Sequence, residues 1–271
     1  MKTNQIYLQD CVEGMLSLPP NSVDIVVTSP PYNLSINYST YKDNKPRQDY
    51  LDWLDSVFAA AKNCLKDDGH FWLNVGYSNA DPWVAMDVAQ VARKHFVLQN
   101  NINWVKSIYV NGKTSGHFKP INSKRYISPT WENLFHFTKS GAVKLDRLAV
   151  GVPYEYYAEN LRNEKTASTK PNLRCKGNTW FIPYDTIQNK EKHRGNHPAT
   201  YPVALVEEAI KISGLTSGIL LDPFMGSGTS AIAAANRGLE YIGFDIDLEY
   251  IAFAEDRIKS NAPQSLFEEV V

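Results

Sequence analysis

The first chemistry in this chain lies where an apolar run ends. In Val23-Asp-Ile-Val-Val-Thr28-Ser29-Pro30-Pro31-Tyr32 a strand-like stretch meets a hydroxyl, two prolines and an aromatic ring. Consecutive prolines donate no backbone hydrogen bonds and fix φ, so the Ser29 and Pro30 carbonyls are rigid acceptors unclaimed by a following ladder. An amino group suits such acceptors. The two hydrogens of an exocyclic base nitrogen can be held by those carbonyls or by the Ser29 hydroxyl, with the Tyr32 ring stacked on the base.

A second constellation stands near the other end of the chain. Gly218-Ile-Leu-Leu-Asp222-Pro223-Phe224-Met-Gly226-Ser227-Gly228-Thr-Ser-Ala231 reads as a buried strand, a glycine turn and an Ala-rich helix start. Gly226 and Gly228 have the spacing that lets a backbone turn sharply against a ligand, with small Ala231 where the helix packs on the strand. Asp222 closes that strand, and Asp245 closes the next one, 19 residues beyond Gly226. An acid at that distance can accept both ribose hydroxyls of an adenosine, which points to an adenosyl ligand. A diphosphate ligand stays open from the glycines alone, but Asn111-Gly112-Lys113-Thr114 lacks the earlier glycine of a phosphate loop.

Other chemistries fit less well. Cys11, Cys64 and Cys175 have neither the even count nor the spacing of a disulfide framework or zinc site, as expected for a reducing cytoplasm. His193 and His197 have a metal-ligand spacing, but Gly195 and Pro198 argue for a loop, and no metal is expected.

Positioning these residues requires a sheet. Strand-like runs recur at Gln5–Leu8, Val23–Thr28, Phe71–Val75, Ile102–Val105, Leu134–Thr138, Ile219–Leu221 and Tyr241–Phe244, several of them continuously apolar and so buried on both faces. Helical patterns lie between, at Tyr50–Leu65, Pro82–Lys94, Pro202–Ser213, Ser230–Arg237 and Leu248–Ser260. The alternation implies a largely parallel α/β sheet with helices on both sides. With 271 residues, 43% of them apolar, one catalytic domain over residues 1–271 is expected. No apolar stretch is long enough to span a bilayer, and an intracellular, cytoplasmic protein with no membrane partner is expected.

The middle breaks this rhythm. Residues 107–130 and 141–196 read as long functional loops or a small inserted module, because structureless stretches of that size are uncommon in a compact domain. Their charge has a meaning. The overall net charge is −1, yet residues 106–194 hold 16 Lys and Arg against 7 Asp and Glu, leaving 12 against 22 elsewhere. Such a basic segment interleaved with Tyr, Trp, Asn and Ser is expected to bind a polyanion.

Taken together, Thr28-Ser-Pro-Pro-Tyr32 and Asp222-Pro-Phe-Met-Gly-Ser-Gly-Thr229 resemble the catalytic and cofactor motifs of amino-methylating DNA methyltransferases, and their order resembles the beta group. His197-Pro-Ala-Thr200-Tyr-Pro202 resembles that family's cofactor-flanking motif, and Gly243-Phe-Asp245 through Tyr250 its ribose-binding segment. The resemblance implies a doubly wound, mostly parallel, seven-stranded Rossmann-like methyltransferase sheet with an inserted DNA-recognition region. It also implies that the Gly218 and Val23 strands are neighbours at the switch point. Asp10 and Cys11 resemble residues bordering the cofactor's adenine, with an ordinary strand-end turn as the alternative.

The implied activity is methyl transfer from S-adenosylmethionine to an exocyclic amino group in double-stranded DNA, by direct attack on a flipped base. Carbon-5 methylation requires a cysteine nucleophile that follows a proline in that family, whereas these cysteines follow Asp10, Asn63 and Arg174. Ser29 favours N4 of cytosine, since members acting on N6 of adenine more often carry Asp or Asn there. Glutamine or RNA methyltransferases usually carry Asn first and the opposite motif order; a DNA-binding protein with a vestigial cofactor pocket is the remaining class. Catalysis is thus expected from Ser29, Pro30, Pro31 and Tyr32. Cofactor contacts are expected from Asp10, Cys11, Thr28, His197, Thr200 and Asp222, and from Pro223, Phe224, Gly226, Ser227, Gly228, Asp245 and Ile246. A homodimer is left open, and the DNA target sequence is not legible.

Overall fold

The computed structural model describes residues 1–36, 40–111, 113–116, 123–154, 172–183 and 201–261. Their main sheet has eight strands in the order β1-β12-β11-β2-β3-β7-β4-β10. These are β1 (Gln5–Leu8), β2 (Val23–Thr28), β3 (Leu65–Val75), β4 (Val97–Val105), β7 (Trp131–Thr138), β10 (Thr179–Phe181), β11 (Ile219–Asp222) and β12 (Glu240–Asp245). All neighbours pair in parallel except β7, which runs antiparallel to both β3 and β4.

The apolar runs are buried because helices cover both faces. On one face lie α1 (Cys11–Leu16), α2 (Arg47–Cys64) and α3 (Val84–Ala92), packed with Val26, Phe71, Leu73, Phe135, Leu221 and Phe244. On the other lie α4 (Val203–Ile212) and α5 (Thr229–Asn236), packed with Ile25, Val27, Trp72, Trp104 and Leu220. Alternation along each strand sends successive residues to opposite cores. Each fully buried Leu or Ile contributes about 1.5–3 kcal/mol. The last helix, α6 (Leu248–Asn261), follows β12.

The structure differs locally from the sequence reading in four places. Helix α1 does not show in the sequence pattern: at six residues it is too short for a periodic repeat, and it forms because Asp10 caps it, accepting from the Val12 amide at 2.8 Å and the Glu13 amide at 3.3 Å. The sheet has one more strand than the seven expected, because β10, inside the stretch read as loop, pairs with β4. It buries Trp180 against Trp72, with ring centroids 6.0 Å apart. Residues 107–130 likewise open with a hairpin, β5 (Ser107–Val110) and β6 (Lys113–Gly116). A further pair, β8 (Val152–Pro153) and β9 (Leu173–Arg174), lies within 141–196.

The antiparallel strand β7 divides the inserted regions between the two edges of the sheet. The hairpin extends from the carboxyl end of β4, and the Lys106 amide bonds the Thr130 carbonyl at 2.8 Å just before β7 begins. β7 then carries the chain to the opposite edge. There Lys139 meets Asp67 at 3.0 Å, and the Asp146 amide bonds the last residue of α4, Ile212, at 2.8 Å. Residues 141–150 therefore sit away from the edge where β2 and β11 end.

Candidate active site

From β2 the chain proceeds to β3 in one direction; from β11 it proceeds to β12 in the other. The carboxyl ends of β2 and β11 are thus the switch point of the sheet, where α/β folds place their ligands. Asp222 ends β11 with no exposed surface, and its carboxylate is met by four donors. Oδ1 accepts from Thr28 Oγ1 at 2.6 Å and the Phe224 amide at 3.0 Å; Oδ2 accepts from the Tyr201 hydroxyl at 2.9 Å and from Ser230 Oγ. Burial raises its pKa while these bonds oppose the shift. With every acceptor direction in use, Asp222 braces the two motifs against each other and shapes the turn that follows.

That turn is built by two glycines. Gly226 has φ 50° and donates its amide to Asp245 Oδ2 at 2.8 Å. Gly228 has φ 78°, and a Cβ there would fall 2.9 Å from Ala254 Cβ, so only glycine lets α6 lie against the start of α5. Arg257 of α6 secures the turn by donating to the Ser227 carbonyl. Pro223 and Ser227 are buried within it, and the half-buried Phe224 ring stands 5.4 Å from Trp53.

Asp245 ends β12 beside this turn. Its other oxygen accepts from the Asp247 amide at 2.9 Å, so each oxygen has one protein donor and room for another. Burial pushes its pKa up to about 6. Ile246, next along, is 47% exposed and offers an apolar surface at the rim. Asp247, two residues beyond Asp245, is 3% exposed and caps α6 through the Glu249 amide at 2.8 Å and the Tyr250 amide at 3.3 Å. Asp10 and Cys11 border the same corner, since the Gln9 amide bonds the Asp245 carbonyl at 3.0 Å. Asp10 is the α1 cap, and burial pushes the Cys11 thiol up to about 12, as it does that of Cys64. Neither thiol is poised as a nucleophile. His197 and Thr200 lie outside the described residues, as does His193.

The Ser29–Tyr32 segment follows β2 at the same edge. Ser29 Oγ is 2.7 Å from the Tyr32 hydroxyl, which reaches Asn74 Oδ1 at 3.1 Å and Glu132 Oε2 at 3.3 Å. Lys106 Nζ holds the other Glu132 oxygen at 2.7 Å. The Pro31 carbonyl accepts from the Tyr50 hydroxyl at 2.8 Å. Sequence reasoning missed Asn74, Glu132, Lys106, Tyr201 and Ser230. One signal existed: Asn74 interrupts the apolar run Phe71-Trp-Leu-Asn-Val75.

The described part of the stretch after Tyr32 is tied down. Asp43, 2% exposed, accepts from the amides of Asn33 at 2.7 Å and of Leu34 and Ile36 at 3.0 Å. Lys45 sits over the Trp53 ring at 4.8 Å, and Arg47 pairs with Asp81 and Asp87, each at 2.8 Å. These two cations serve the protein's own packing.

Comparison with known proteins agrees with this geometry. The DNA methylase family model, covering N6 and N4 enzymes, matches residues 23–256. The Type II methyltransferase M.ScaI of Streptomyces caespitosus is 28% identical over 267 residues, covering 97% of this chain and 83% of that protein. The DNA adenine methyltransferase YhdJ of Escherichia coli (strain K12) is 25% identical, covering 92% and 80%. Among solved structures, the cytosine-N4-specific PvuII DNA methyltransferase superposes with a TM-score of 0.66 at 20% identity, covering 96% of this chain and 92% of that one. M1.HpyAVI, solved as its SAM complex, superposes with a TM-score of 0.58 at 23% identity, covering 93% and 98%. The chain belongs to the N6/N4 DNA methylases, a family of S-adenosylmethionine-dependent DNA methyltransferases.

Proposed function

We propose that this DNA methyltransferase transfers its methyl group to N4 of cytosine, with the target base flipped out of the duplex and stacked on Tyr32. The observation that carries this reading is Ser29: a neutral hydroxyl, hydrogen-bonded to Tyr32, stands where a substrate amino group would be held. The bound cofactor supplies an electrophilic methyl on a sulfonium. Asp245 receives its ribose hydroxyls, the Gly226–Gly228 turn gives the backbone close approach, and Ile246 offers apolar contact to its adenine. Ser29 and Pro30 orient the amino nitrogen for in-line attack.

The chain acts as one catalytic domain. Duplex DNA is gripped chiefly by residues 107–130 and by those parts of 141–196 that reach the same edge, with exposed Lys113, Lys124 and Arg125 as phosphate contacts. A second reading, transfer to N6 of adenine, is favoured by the likeness to YhdJ. Incubation with S-adenosylmethionine and unmethylated duplex DNA, followed by nucleoside mass spectrometry, separates the two. N4-methylcytosine is the expected product; N6-methyladenine alone would replace the cytosine assignment, and neither product would remove both.

A further inference from the structure

We propose that Glu132 is the terminus of a proton relay running from the target amino group through Ser29 and Tyr32, an inference that rests on the amino-methylation reading above. The direction of the relay follows from hydrogen-bond chemistry. Asn74 donates its amide nitrogen to the Asn133 carbonyl at 3.1 Å, which turns Oδ1 toward Tyr32. Asn74 Oδ1 and the Glu132 carboxylate can only accept, so the single Tyr32 proton points to them. Ser29 is then the donor in the 2.7 Å contact with Tyr32. Its one proton being committed, Ser29 Oγ meets an amino group as an acceptor.

The fold makes room for this junction. Gly76, directly after β3, lies where Tyr32 and Glu132 come together: a Cβ there would stand 2.8 Å from Tyr32 Cε2 and 3.0 Å from Glu132 Cδ. Lys106 fixes the far oxygen of Glu132, leaving Oε2 to face the tyrosine at 3.3 Å. Separations of that size tighten when a substrate complex forms.

In the reaction, the amino nitrogen forms the new N–C bond with its lone pair as the C–S bond breaks and its electron pair stays on sulfur. The nitrogen, now cationic, gives one proton to Ser29 Oγ. The serine passes its own proton to the Tyr32 oxygen, and the tyrosine passes its own to Glu132 Oε2. The Asn74 amide oxygen is far too weak a base to keep the proton, which leaves the carboxylate of Glu132 to take it. The relay ends with a neutral methylamino base and a neutral Glu132, which later loses its proton to solvent. Glu132 is thus a positioning residue that acts through Ser29 and Tyr32.

Single-turnover methyl transfer, measured against pH with Glu132→Gln, Glu132→Asp and Tyr32→Phe, tests the relay. Glu132→Gln should bind cofactor and duplex DNA as the parent does, slow transfer about 100-fold, and alter the dependence of the rate on pH. Glu132→Asp should restore part of the rate together with the pH dependence. If Glu132→Gln transfers methyl within about threefold of the parent and with an unchanged pH profile, the relay is wrong. Should that variant fail to fold, Tyr32→Phe, which keeps the ring and removes the middle hydroxyl, decides by the same two readouts. A parent protein that methylates no exocyclic amino group overturns the underlying reading and the relay with it; a parent that does, with unaffected variants, overturns the relay alone.

Discussion

Thr28 Oγ1 donates to Asp222 Oδ1 across 2.6 Å, joining two segments 194 residues apart at the switch point of the sheet. Both residues are buried, so the bond is made away from competing water. Thr28→Val keeps the shape and removes the donor. It should destabilise the protein by about 1–3 kcal/mol, since a buried carboxylate loses one of its four partners. Urea denaturation reads the change. An unaltered midpoint would mean that the Phe224 amide, Tyr201 and Ser230 suffice to hold the carboxylate.

Tyr32 should carry catalysis and contribute little to cofactor affinity. Tyr32→Ala removes a base-stacking surface worth about 1–3 kcal/mol and the hydroxyl that holds Ser29. Turnover on duplex DNA is the measurement, with normal turnover removing the catalytic assignment of this segment.

Gly76→Ala offers a subtler probe of the same junction. The new methyl must displace either the Tyr32 ring or Glu132. Methyl transfer should fall by roughly 10- to 100-fold through misplacement of the catalytic groups, while cofactor affinity stays at the parent value. Calorimetry beside single-turnover kinetics separates these effects.

Asp245, the proposed ribose acceptor, should tie cofactor affinity to pH. Burial pushes its carboxyl up to about 6, above the ordinary value of 3.8. Folding therefore favours the protonated form, and the stability this gives is full below the ordinary value and is lost as pH rises through about 6. Ribose hydroxyls donate to the ionised form, so affinity has the opposite slope: S-adenosylmethionine should bind more weakly as pH falls below about 6. Asp245→Ala should weaken binding at neutral pH by roughly 1.5–3 kcal/mol and remove the dependence. A folded variant with unchanged affinity would move the ribose site elsewhere.

What the sequence makes legible, and what it hides, follows from the range of the forces involved. β2 and β11 show as continuous apolar runs ended by prolines and glycines, because burial on both faces leaves no polar alternation. The acid after β12 is readable for the same local reason. β10 is not: Thr179-Trp-Phe181 is three residues long and becomes a strand through its pairing with β4. The partners of the Tyr32 hydroxyl are also hidden, since Asn74 and Glu132 stand 42 and 100 residues away and meet it only once β3 and β7 pair. Charge count alone cannot divide the basic segment, because composition does not tell a solvated cation from a paired one such as Lys176 beside Glu208.

Lys176 and the Lys124–Arg125 pair turn that last distinction into a test of where DNA binds. Lys124 and Arg125 are exposed, on the chain that returns to β7 at the edge where β2 and β11 end, with Arg125 lying 4.9 Å over the Tyr126 ring. Lys176, from the same basic segment of the sequence, instead meets Glu208 of α4 at 2.7 Å and lies over Trp180 at 4.9 Å. Lys119, Lys192 and Arg194, further cations of the segment 106–194, lie outside the described residues. Each phosphate contact releases counterions, so the logarithm of the affinity should fall with the logarithm of salt concentration by about 0.9 per contact. Neutralising Lys124 and Arg125 together should shallow that slope by up to about 1.8 and weaken binding to all sequences alike. Neutralising Lys176 should leave the slope unchanged and act on stability, through the loss of its ion pair and its packing on Trp180. Lys45→Met and Arg47→Met should behave as Lys176 does, given their contacts with Trp53 and with Asp81 and Asp87. Equilibrium binding to duplex DNA across a salt series reads all four changes. If the Lys124 and Arg125 double variant keeps the parent slope while Lys45 or Arg47 variants lose it, the DNA lies against the segment after Tyr32 and not against residues 107–130.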